Sequence, residues 1–173
     1  MRITKEIYKE VNTVRKTISN AEARLAEITE QLLLNIEYEK AGDYAPYDYS
    51  ALHEEAQALR AEAAVAPEAL TDKAALFAPS LFPTLKGNGA LIKAGTRINY
   101  NGTLYRASSD IWDLTENNPF NAPTLWEVVT YTDGIRDIPE VITAASAFYK
   151  GELGYWNGAI YESLLDNNTW TPA

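Results

Sequence analysis

The chain has no cysteine, which excludes a disulfide framework and thiol chemistry. It has a single histidine, His53, in an Ala-rich stretch that reads as helix, so a Ser-His catalytic pair has poor material to work with. A metal site would have carboxylates as its other strong ligands, and His53 reads instead as a solvated helix residue. No run reaches the roughly 18 apolar residues of a membrane span. The first residues, Met1 to Glu6, lack the apolar core of a signal peptide. Basic residues are in the minority, 15 Lys and Arg against 24 Asp and Glu, a net charge of −9. A phosphate-backbone partner needs a basic patch, so nucleic acid is not expected. There is no Gly-rich phosphate loop. No enzyme activity, cofactor, metal or membrane insertion is therefore expected.

What is present is a globular composition, 46% hydrophobic, with 11 Tyr against 4 Phe. Tyrosine suits surfaces that meet polar ligands, because its ring stacks and its hydroxyl hydrogen-bonds. Residues 3–39 contain no Gly or Pro and read as one long helix. Ile7, Val11, Val14, Ile18, Ala21, Leu25, Ile28 and Leu32 fall at alternating steps of four and three, a heptad seam. Two of the a positions are Leu, and three of the four d positions are Ile or Val. That choice shifts preference from two strands toward three or four. Glu10 and Arg15 fall at g and e and could pair between chains, an exposed contact worth about 0–1 kcal/mol. The seam reads as an oligomerisation stalk, most simply a homotrimer. The alternative is a helical hairpin within one chain.

Gly42 and Pro46 stop the helix, and the three tyrosines of the 41–50 loop are expected to pack on the helices. Ser50 is the expected N-cap of a second helix over 51–64. A short helix is expected near 67–76, followed by a Pro-punctuated clasp over 79–85.

The rest of the chain reads as strand and turn, and it repeats. Tyr100-Asn101-Gly102-Thr103-Leu104-Tyr105 returns 56 residues later as Trp156-Asn157-Gly158-Ala159-Ile160-Tyr161. Asn-Gly between apolar strands is the strongest short-range hairpin signal, because both central residues of a type I′ turn need positive φ. Gly95 and Gly151, and Ala107 and Ser163, match at the same spacing, and Asn117-Asn118 is paired with Asn167-Asn168. Several coincident matches argue for a duplicated unit. Asp110, Asp113 and Glu116 in the first copy read as solvated loop acids. A unit this small cannot enclose the sugar-sized cleft that paired glycosidase carboxylates need. The first copy closes with Leu125-Trp126 after Pro123, and the second has no counterpart. Either the chain is cut short there, the preferred reading, or a neighbour closes the unit.

The fold class expected is multidomain α + β: a long N-terminal helix (coiled coil or helical hairpin) followed by two small three-stranded antiparallel β modules. The boundaries are a helical segment over 1–66, a connector over 67–85, a first module over 86–130, a linker over 131–147 and a second module over 148–173.

The pattern Gly95-x-x-Ile98-x-Tyr100-Asn101-Gly102-x-x-Tyr105-x-Ala107, then Pro123-x-x-Trp126, resembles carbohydrate-binding modules of families 5 and 12, the chitin-binding type 3 modules. The stretch from Gly151 to Pro172 looks like the same module. Ala74 to Pro83 and Ile135 to Ala144 are similar to segments that accompany such modules in tail, fibre and baseplate-region proteins of phages. The resemblance covers about residues 74–173. It implies a virion structural protein, made in the host cytoplasm, that adheres to host cell-wall polysaccharide. The N-terminal helix would self-associate or dock on other virion proteins. The family binds sugar through aromatic rings, and the candidates here are Trp156, Trp170, Tyr155, Trp112 and Tyr100. Tyr105, Trp126 and Tyr161 fall at the family's structural positions.

Overall fold

A computed structural model describes residues 4–172. The expected helix start at Ile3 and the last residue of the second module, Ala173, lie outside the described residues. The described chain divides into two compact units, one of residues 9–70 and one of residues 71–172 with the short segment 4–8.

The first unit is a helical hairpin. Helix α1 (Lys5–Ala41) runs without a Gly or Pro and ends two residues beyond the expected boundary. Gly42 takes φ +83°, its N–H donates to Glu39 O, and the Asp43 N–H donates to Tyr38 O. These two bonds satisfy carbonyls that the last turn leaves open, and the positive φ is why glycine stands there. Helix α2 (Tyr49–Val65) starts earlier than expected. Asp48, not Ser50, is its N-cap: the Asp48 carboxylate accepts from the Ser50 and Ala51 N–H groups at 2.8 and 3.2 Å. Ile28, Leu52 and Ala56 are buried together, with Leu25, Leu32 and Leu59 packed against them. Over this stretch α2 covers the heptad seam. Arg24 grips the Glu55 carboxylate with two bonds, at 2.7 and 3.0 Å, tying the helices in register.

The next d position after Ile28 is Asn35, fully buried. Its amide donates to Tyr47 O and accepts from the Tyr47 N–H, at 2.9 and 3.0 Å. The loop is thus held through its backbone, and the expected packing of its rings fails at Tyr44, which is 98% exposed, while Tyr47 and Tyr49 are 38% and 40% exposed.

The second unit is mostly β. The expected helix near 67–76 is split. A 3₁₀ turn (Ala66–Ala69) belongs to the hairpin unit, and α3 (Asp72–Ala75) opens the β unit under a Thr71 cap. Strands β1 (Leu91–Ile92), β2 (Arg97–Tyr100), β3 (Thr103–Ala107), β4 (Ile111–Trp112) and β5 (Trp126–Val128) form the first copy. β2, β3 and β5 make an antiparallel sheet in the order β2-β3-β5, and β1 pairs with β4. One face of the sheet carries Ile98, Ala107 and Trp126, buried with Ile111, while Tyr100, Tyr105 and Leu85 pack against them. The opposite face is charged. Asp72 of α3 pairs with Arg97 at 2.9 Å and with Arg106, and Arg106 pairs with Glu127 at 3.2 Å.

The stretch expected to be a linker is built into the next sheet. Strands β6 (Tyr131–Thr132) and β7 (Ile135–Asp137) form a hairpin around Asp133-Gly134, where both residues take positive φ. β8 (Leu153–Trp156) lies parallel to β7 and antiparallel to β9 (Ala159–Glu162), in the order β6-β7-β8-β9. Both Asn-Gly turns have the positive φ that their hairpins need, 52° and 84° at Asn101-Gly102 and 48° and 87° at Asn157-Gly158.

Candidate functional site

Successive residues of a strand face opposite sides of its sheet, which sorts the aromatic candidates. Tyr155 and Trp156 are neighbours in β8 and cannot share one platform. Tyr155 lies opposite Ile160 and Trp156 opposite Ala159, on the other face. Both rings are half-buried. Tyr100 is also half-buried. It meets Tyr105 edge to face, with ring centroids 6.3 Å apart, and belongs to the first core. Trp112 is 56% exposed and sits across β1–β4 from exposed Leu91. Trp170 is 79% exposed and stands at the rim of a cavity beside β9. The five rings therefore form no single surface, and the two most open to a ligand are Trp112 and Trp170.

Of the residues at the family's structural positions, Trp126 is core, and its indole N–H donates to Asn117 O at 2.7 Å. Tyr105 packs on the same core. Tyr161 is 39% exposed.

The loop acids divide by role. Asp113 is buried, not solvated. Its carboxylate accepts from the Lys86 and Gly87 N–H groups at 2.9 and 3.0 Å and holds that loop against the first copy. Asp110 accepts from Lys93 Nζ at 2.8 Å and from the Ala94 N–H at 2.9 Å. The lysine first, then the backbone N–H, holds its carboxyl below the ordinary value. Glu116 is exposed. His53 is exposed and lies 2.9 Å from Gln57 one helical turn on. Among the described residues, no group of His, Cys, Asp or Glu could hold a metal ion, and no helix is long and apolar enough to cross a membrane.

Two concave regions were not visible in the sequence. A cleft of about 660 Å³ is bordered by Trp126, Glu127, Thr130, Asp137, Pro139 and Val141. It forms because the 131–147 stretch folds back beside β5. Burial pushes the Glu127 carboxyl up, and the Arg106 guanidinium opposes the shift. The second is an apolar cavity of about 350 Å³, lined by Ile138, Ile142, Phe148, Gly154, Tyr161 and Ser163. No local pattern marked the first, whose walls come from residues 108 to 141; the second lies in the copy that has no counterpart of the closing Leu125-Trp126.

Scans of the chain against protein-family models, curated proteins and solved structures give no match.

Proposed function

We propose that the protein is a non-enzymatic structural protein of a phage virion, a tail, fibre or baseplate appendage, whose two modules adhere to host cell-wall polysaccharide. The observation that carries this reading is the repeated aromatic hairpin unit with one widely exposed indole in each copy, Trp112 and Trp170. A pyranose packs its C–H face on such a ring while neighbouring amides bond its hydroxyls. The Asn117 amide donates to the Trp112 backbone carbonyl, and the Asn168 side-chain oxygen accepts from the Trp170 backbone N–H, so an amide side chain is tied to the backbone of each tryptophan.

Self-association, as a homotrimer, and docking on other virion proteins belong to the N-terminal helix in this proposal. Several weak modules on one particle raise avidity through effective concentration, without any new contact. The competing reading is a structural adapter or head-fibre decoration whose modules bind other virion proteins and no sugar.

A glycan array and a cell-wall pull-down with the full chain separate the two. The expected result is binding that Trp170→Ala and Trp112→Ala each reduce and the double variant abolishes, with Trp156→Ala having a smaller effect. Binding by no glycan and no wall preparation sinks the adhesion reading in favour of the adapter.

A further inference from the structure

The chain holds three Asn-Gly pairs, Asn88-Gly89, Asn101-Gly102 and Asn157-Gly158. Such a pair is reactive as well as suited to turns. Glycine has no side chain to shield its backbone nitrogen, and that nitrogen can attack the side-chain amide carbon of the asparagine before it. The nitrogen must first lose its proton, and the chain must leave the turn to bring the two atoms together. A hydrogen bond donated by the glycine N–H opposes both steps.

In the first two pairs that N–H is engaged. Gly89 donates to Asp113 O at 2.8 Å, and Asn88 Oδ1 is itself held by the Ala90 N–H at 3.0 Å. Gly102 donates to Asn99 Oδ1 at 2.9 Å, across the tip of the β2–β3 hairpin. The β8–β9 hairpin has the same register. Tyr155 lies opposite Ile160 as Asn99 lies opposite Leu104, and Trp156 lies opposite Ala159 as Tyr100 lies opposite Thr103. The counterpart of Asn99 is therefore Tyr155, which has no amide oxygen to offer the turn. Among the described residues nothing accepts from the Gly158 N–H. The two hairpin turns are otherwise matched. All four turn residues are exposed, their φ angles are nearly the same, and a Cβ added at either glycine would meet no atom within 4 Å. Water and base reach both turns, and only the second has its glycine nitrogen uncommitted.

We propose that Asn157 is a site of spontaneous deamidation and isoaspartate formation, and that Asn101 and Asn88 are protected from it. The Gly158 nitrogen loses its proton to solvent base and bonds to Asn157 Cγ. The Cγ–Nδ2 bond breaks, and Nδ2 leaves as ammonia, taking its third proton from solvent. A five-membered succinimide remains. Water then adds to one of its two carbonyls. Opening at Cγ breaks the bond from Cγ to the Gly158 nitrogen and gives aspartate. Opening at the backbone carbonyl breaks the original peptide bond and gives isoaspartate, whose main chain runs through Cβ and Cγ. Either product adds a negative charge, and isoaspartate puts an extra atom into a two-residue turn. The Trp156–Ala159 pairing is then lost, so the tip of β8–β9 opens with age while that of β2–β3 stays closed. The proposal does not depend on sugar binding.

The test is peptide mapping by mass spectrometry of the full chain held in mildly alkaline buffer. The expected result is a first-order gain of about 1 Da in the peptide that contains Asn157, with isoaspartate among the products. Conversion of Asn101 is slower by about three- to tenfold, the factor that one net hydrogen bond supplies. Asn99→Ala frees the Gly102 N–H and raises Asn101 to the Asn157 rate, while an unchanged Asn157 rate in that variant shows that the fold is kept. In urea, where neither turn persists, the two sites convert alike. Four results would overturn the proposal: no conversion at Asn157, equal rates at Asn101 and Asn157 in the folded chain, an Asn101 rate that Asn99→Ala leaves unchanged, or a difference between the two sites that survives in urea.

Discussion

Gly154 shows how one position can redirect a repeat. Its counterpart in the first copy, Ile98, fills that core from within the hairpin. At Gly154 the space is taken by Ile138 and Phe148, and an added Cβ would come within 2.5 Å of Ile138 Cγ1 and 2.9 Å of Phe148 Cε1. The Arg136 guanidinium caps the same Phe148 ring, 3.6 Å from its centroid. Gly154→Ala is expected to destabilise the chain by about 1–3 kcal/mol, the range for forcing extra volume into a packed core, read from urea denaturation. Retained stability would mean that Ile138 gives way at no cost. The backbone turns at Asn101-Gly102 and Asn157-Gly158 were legible in the sequence, because positive φ leaves a mark on residue choice. The need for glycine at position 154 was not, because its clash partner Ile138 is 16 residues away and reaches it through a parallel strand pair.

At the scale of the element, the heptad seam was read correctly as a helix with one apolar stripe. The sequence left open what covers that stripe. Val11, Val14, Ala21 and Ile28 are buried, Ile7 is buried as well, and Ile18, Leu25 and Leu32 are half-buried. Over Leu25 to Leu32 the cover is α2 of the same chain. Periodicity reports that a face is apolar, and it carries no information on whether the partner is intrachain or interchain. Asn35 continues the seam as a polar d residue that anchors the hairpin loop. Its loss strands the Tyr47 backbone groups. Asn35→Ala is expected to cost about 1–3 kcal/mol, the penalty for leaving buried polar groups unpaired, with faster amide exchange at Tyr47 as the local signature. An unchanged exchange rate would show that the loop is held by something else. The same scale holds the misread elements. α2 begins at Tyr49 because Asp48 caps it, and the 131–147 stretch becomes β6 and β7 because its Asp-Gly turn makes a hairpin.

For the whole molecule, the trimer proposal turns on which apolar residues of α1 another copy could meet. With Leu25, Ile28 and Leu32 engaged by α2, self-association of the helical unit has to use other apolar residues of α1. Leu33, Leu34, Ile36 and Tyr38 are 37–57% exposed near its C-terminal end. On the trimer proposal, sedimentation equilibrium of the full chain at micromolar concentration gives three times the 19.2 kDa chain mass, and Leu34→Glu lowers it without loss of helix content. A monomer at all concentrations would assign the heptad seam to the hairpin alone.

The sequence by itself determined the α + β class, the long helix, the two Asn-Gly hairpins and their repetition. Each of these is local: a period, a turn residue, a recurring spacing. Only the tertiary structure decided that α2 covers the seam, that Asp113 is a buried clamp, and that Tyr155 and Trp156 part to opposite faces. It alone revealed that residues 131–137 enter the second sheet on the β8 edge and that an apolar cavity lies beside β9. These are matters of which distant segments meet, and that is settled by burial and strand pairing across the chain, which no local pattern records.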